Sequence, residues 1–185
     1  MAPDSTASEP APNAHRPRRA LLRWSAVAAA SGYGAGLFWP HDETPSRPVA
    51  MPGFSTLNGH AIRLDTAGQR GLLVCFWATS CAICVQDLPA LSRLRDQWSP
   101  RGIAVVAVAM AYDREEMVRH VARMNPGAPP IALDTHGEIA AALGPIRDTP
   151  THCLLDQKGR VLSRDRGRLD LTMLAPRLRA LTERT

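Results

Sequence analysis

The sequence predicts an α/β fold with a central mixed sheet flanked by helices. Three observations carry that prediction. Residues 72–78 and 103–109 are continuous apolar runs, the pattern of central strands covered on both faces. Helix-patterned segments follow each of them. Short alternating runs joined by turn residues, at Asn58-Gly59 and at Gln157-Lys158-Gly159, predict a hairpin near each end of the domain. Strand–helix alternation bracketed by hairpins gives parallel and antiparallel pairs in one sheet.

In order, residues 1–15 are rich in Ala, Pro, Ser and Thr and predict disorder. Residues 16–40 follow a basic start (Arg16, Arg18, Arg19, Arg23) with an uncharged Ala- and Gly-rich run from Trp24 to Trp39. As a helix that run spans roughly 24 Å, short of the ~30 Å hydrocarbon core, although Leu21 and Leu22 extend it. A signal anchor through residues 21–39, a signal peptide cleaved near Ala28-Ala29-Ala30, and a buried helix of the domain all stay open. Arg18-Arg19 also has the form of a twin-arginine export signal. The export readings put the rest of the chain in the periplasm or another extracytoplasmic space, most simply anchored in the inner membrane. Residues 41–51 form a polar, proline-rich linker, and residues 52–185 the folded domain.

Within that domain the first hairpin surrounds Asn58-Gly59, followed by the strand at 72–78. A helix then starts at Cys81 and runs to Trp98, with Val85, Leu88, Leu91 and Leu94 on one buried face and Pro89 inside it. After the strand at 103–109, residues 113–124 form a helix with Asp113 as its N-cap. A short strand (131–133), a short helix (137–143), a strand pair (151–155 and 160–164) and a last helix (169–181) complete the chain.

Of the 22 basic residues only Lys158 is lysine, and the net charge of +5 is spread without a cluster. That is a poor footprint for nucleic acid, which is not expected as a partner. Four cysteines stand at 75, 81, 84 and 153. A zinc ribbon needs a second close pair, so neither a metal nor any other cofactor is expected. The chemistry concentrates in Cys81-Ala82-Ile83-Cys84. A helix N-terminus offers unpaired N–H groups and about half a positive charge, both of which favour a thiolate. Cys81 is therefore the candidate nucleophile and Cys84 the resolving thiol. Cys75 and Cys153 read as core thiols, with a second disulfide as the alternative, and His152 as a core or surface histidine, with a functional role as the alternative.

Phe76-Trp77-Ala78-Thr79, the two cysteines, and Pro89 five residues beyond Cys84 resemble the thioredoxin fold. Thr149-Pro150-Thr151, followed by Leu154-Leu155-Asp156 and Gly159, resembles that fold's cis-proline loop and final hairpin. The early hairpin and the 69-position separation of Cys81 and Pro150 are similar to the TlpA/ResA-like subgroup, which adds a strand–helix unit to the sheet. The resemblance implies an exported thiol-disulfide oxidoreductase, a protein disulfide reductase with a possible place in cytochrome c maturation. Its implied partners are client proteins with disulfides and a membrane thiol donor. It implies that Pro150 is cis and packs on Cys81, that Thr149 offers backbone groups to a client, and that Trp77 packs beside the site, with Thr149, Pro150 and Trp77 as the client-binding residues. Asp87, one turn beyond Cys84, would hold or relay the proton of Cys84, or else be a solvated helix carboxylate. Cys75 and Cys153 would lie on adjacent central strands. Three positions depart from the family: Ser80 where Trp is usual, Ile83 where Pro is usual, and Cys75 where thioredoxin keeps a buried Asp. Ile83 adds apolar cover that would oppose the thiolate. A copper-binding chaperone of thioredoxin fold is the alternative from another class, because soft thiolates select Cu(I). A thiol peroxidase is a poorer match, lacking the Pro and Thr expected before a single peroxidatic Cys.

Overall fold

A computed structural model describes residues 47–64 and 68–183. The expected disordered start, the segment at 16–40 and residues 41–46 of the linker lie outside them. Among the described residues, no helix is long and apolar enough to cross a membrane.

The chain opens with β1 (Phe54–Ser55) and β2 (Ala61–Ile62), paired antiparallel. Gly59 turns between them at φ 79°, a conformation that side chains with a Cβ adopt only with strain. Five strands form the main sheet: β3 (Gly71–Trp77), β4 (Ile103–Ala109), β5 (Ile131–Leu133), β6 (Thr151–Asp156) and β7 (Val161–Arg166). Their order is β5-β4-β3-β6-β7, which places β3 at the centre. β3 and β4 run parallel, as do β4 and β5; β6 is antiparallel to both β3 and β7. The sheet is mixed, as the sequence implies. Gly71 starts β3 where a Cβ would stand 2.7 Å from the Leu155 carbonyl oxygen, so the strand pair closes only around a glycine.

Alternation along β3 sorts its side chains into two layers. Leu73, Cys75 and Trp77 face a layer with Leu88, Leu91, Leu94 and Trp98 of α1 (Ala82–Trp98). That layer also takes Val118 from α2 (Glu115–Met124) and Leu174, Leu178 and Leu181 from α4 (Leu171–Glu183). Leu72, Val74 and Phe76 face the other way, onto Val106, Val108, Ala132 and Leu155, and onto Ile139 of α3 (Glu138–Ala142). Val49 and Met51, in the segment read as linker, pack against this second layer, and the Val49 amide donates to the Gly159 carbonyl at 2.9 Å.

One expected cap is corrected. α2 begins at Glu115 behind Arg114, which makes no side-chain cap. Asp113 sits one residue too early for that role, and its carboxylate is committed elsewhere, as the site shows.

Candidate active site

Strand β3 ends at Trp77 and the chain turns at once into α1, so the residues between them stand at the C-terminal edge of the sheet. Cys81 is the N-cap of α1, and its sulfur accepts from the Cys84 amide at 3.2 Å. This is the contact a thiolate needs at a helix start, since the N–H and the positive helix end both favour the charged sulfur. Cys81 and Cys84 are joined in a disulfide with their Cα atoms 5.2 Å apart. Cys81 is partly exposed, whereas Cys84 is 2 % exposed. The first sulfur is therefore open to solvent and the second is enclosed.

The peptide bond between Thr149 and Pro150 is cis. The loop it shapes brings the Thr149 carbonyl oxygen to 3.6 Å from the Cys81 sulfur. The Thr151 hydroxyl donates to the Asp148 carbonyl and closes the loop from below. Pro150 itself is buried and Thr149 partly open. Residues 68 apart in sequence thus meet because β3 and β6 are neighbours.

Asp113 completes the platform. Its carboxylate accepts from the Thr79 amide at 3.0 Å and from the Thr79 hydroxyl at 2.8 Å. Sequence reasoning missed this pair. The available signal was positional: both residues stand just past the C-terminal ends of parallel neighbours, β3 and β4. The contact anchors the loop that carries Ser80 and Cys81.

Trp77 is 1 % exposed and lies in the helix-side layer, so it forms the floor beneath the dithiol and has no surface to offer a client. Ile83, between the two cysteines, is 44 % exposed. Asp87 is buried, and its carboxylate accepts from Arg168 at 3.1 Å and from the Leu169 amide at 3.4 Å. Arg168, in the turn between β7 and α4, carries no sequence signal for that role.

Cys75 and Cys153 are free, buried and on adjacent strands, as expected. They are one position out of register: Cys75 stands opposite His152, and Cys153 opposite Val74. They therefore point to opposite faces of the sheet. Burial pushes the Cys75 thiol well above its ordinary value, with Cys153 adding to the rise. Burial likewise pushes Cys153 up to about 11, although Arg164 works against it. Both stay protonated at neutral pH and are poor nucleophiles. Among the described residues, no group of three or more His, Cys, Asp or Glu side chains is placed to hold a metal ion.

Comparison with known proteins places this geometry. Residues 47–176 match the family described as Redoxin. The chain is 27 % identical over 126 residues to the thiol-disulfide oxidoreductase ResA of Bacillus thuringiensis subsp. konkukian, covering 68 % of this chain and 72 % of that one. It is 37 % identical over 112 residues to the thioredoxin-like protein YneN of Bacillus subtilis, covering 58 % of this chain and 64 % of YneN. The crystal structure of StoA from Bacillus subtilis superposes with a TM-score of 0.60 at 24 % identity, covering 76 % of this chain and 99 % of StoA, which shows a shared fold. The central mixed sheet with flanking helices agrees with that likeness.

Proposed function

The chain belongs to the Redoxin family and is a thiol-disulfide oxidoreductase of the thioredoxin superfamily; on that premise we propose that it reduces or exchanges protein disulfides outside the cytoplasm. The observation that carries the reading is the Cys81 sulfur, partly open, at the N-terminus of α1 and 3.6 Å from the Thr149 carbonyl. In the reduced protein the Cys81 thiolate attacks a client disulfide and forms a mixed disulfide. Cys84 then attacks the Cys81 sulfur, closes the bond across the first turn of the helix and releases the client thiol. Thr149 gives an extended client segment a backbone acceptor, as in strand addition. Exposed Ile83 gives it an apolar contact. Asp87, buried one helical turn beyond Cys84 and paired with Arg168, sets the charge around the dithiol. A membrane thiol donor re-reduces the pair, residues 21–39 hold the domain at the inner membrane, and apocytochrome c cysteines are a client class that fits.

Trapping tests this reading. Reduced Cys84→Ser protein should accumulate mixed disulfides with extracytoplasmic proteins, and Cys81→Ser should exchange no model disulfide above background. A Cys81→Ser protein that exchanges disulfides at the wild-type rate would overturn it.

A further inference from the structure

One buried side chain in the layer beneath the dithiol has no part in that cycle. His152, on β6, is 3 % exposed. Its register partners are Cys75 on β3 and Asp165 on β7. Directly opposed residues of antiparallel strands project to the same face. His152 therefore faces the helix-side layer, which also contains Cys84.

The ring's tautomer follows from one contact. Nε2 lies 3.1 Å from the Gly167 carbonyl oxygen. A carbonyl only accepts, so Nε2 carries the hydrogen and donates it. In the neutral ring Nδ1 is then a bare lone pair. Nδ1 is buried and has no hydrogen-bond partner. Burial lowers the His152 pKa from its ordinary value, while the Gly167 contact and the charges of Asp165 and Asp87 pull it back up. At neutral pH the ring is uncharged, with a proton acceptor unused in the core.

Other groups facing the ring are less available. The Asp87 carboxylate already accepts from Arg168 and the Leu169 amide. Asp165, on β7, accepts from Arg177 of α4 and from the Ser163 hydroxyl. Cys75 is a protonated thiol. In this disulfide form the Cys81–Cys84 pair has no proton to give. Reduction places a thiol at Cys84.

We propose that His152 is the proton acceptor for the buried half of the dithiol, taking the Cys84 proton on Nδ1 as Cys84 attacks the mixed disulfide. The inference rests on the dithiol reading above. The Cys84 S–H bond breaks and its proton passes to Nδ1. The Cys84 sulfur bonds to Cys81 while the Cys81–client bond breaks. The client sulfur leaves with the electron pair, and the imidazolium returns the proton to it through solvent. Two thiol equivalents become one disulfide and the client is reduced, with no other oxidant. Asp87 and Asp165 stabilise the transient imidazolium, and Arg168 and Arg177, which pair with them, limit that effect.

Two measurements test this. In wild-type protein the ¹⁵N shift of His152 Nδ1 should be that of a bare lone pair when oxidised and move to the hydrogen-bonded range on reduction. In single-turnover release of a client from the mixed disulfide, His152→Gln should slow release by about 10²-fold and remove the acid limb of its pH profile. Attack of Cys81 on the client should keep its rate. An Nδ1 shift identical in both redox states overturns the inference, as does a His152→Gln profile that matches the wild type. A wild-type chain that forms the mixed disulfide and never releases client removes the dithiol reading, and the inference with it.

Discussion

Cys75 and Cys153 are neighbours on the two central strands, yet they face different chemistry. Around Cys153 the layer is apolar, built from Val74, Phe76, Val106 and Leu155, with Arg164 reaching in to the thiol and to the Leu143 carbonyl. Around Cys75 the apolar side chains of α1 and α4 share their layer with His152 and the buried Asp87. Burying an ionisable group costs free energy unless it is paired. The helix-side face holds its ionisable groups beside the dithiol; the other face holds Arg164 and the buried Asp134, both bonded to backbone groups at the ends of α3. The difference lines up with the dithiol, since the face that carries His152 and Asp87 is the one beneath Cys84. The apolar face serves packing.

The contrast can be broken most strongly from the apolar side. Phe76 is fully buried there, and Phe76→Ala should cost about 3–5 kcal/mol in urea unfolding. Exchange per folded molecule should stay at the wild-type value; a loss of rate in the folded fraction would mean that the two faces are not separable. A smaller effect is expected at the rim. Asp113→Ala frees the Thr79 amide and hydroxyl, and water replaces part of what is lost. The cost should be about 1–2 kcal/mol, and alkylation of Cys81 should become less dependent on pH as its loop loosens. Unchanged alkylation would limit Asp113 to a structural role.

The smallest effect sharpens the comparison through pH. The folded pKa of His152 is lowered, mainly by burial. Below the unfolded value of about 6.5 the unfolded chain binds the proton and the folded chain resists it. Stability from this group is therefore present above that pH and is lost as pH falls toward the folded value. His152→Leu should flatten this part of the pH–stability curve measured by thermal unfolding. The same slope remaining in the variant would assign it to another group.

Much of the fold was legible because it is written in local patterns. The Asn58-Gly59 turn, the two apolar strand runs and the helix after Cys81 need only neighbours in sequence to be read. The dithiol was legible for the same reason: Cys81 and Cys84 are one helical turn apart. The cis-proline loop was readable only through family likeness, because the approach of the Thr149 carbonyl to Cys81 bridges distant segments. Asp113 shows where local reading misleads. An Asp ahead of a helix is a sound cap candidate, but β4 carries it beside β3, and Thr79 supplies two donors that the start of α2 does not.

The sequence by itself determined which residues form strands and helices, and which sulfur heads the helix, because periodicity, turn chemistry and spacing act over a few residues. Only the tertiary structure decided which side chains share a face. Register does that: a shift of one position sends Cys153 to the far side and sets His152 against Cys75. A strand alternates every residue, so whether a buried histidine lies under a dithiol or away from it depends on how two distant strands align. That alignment is settled by the packing of the whole sheet between its two layers.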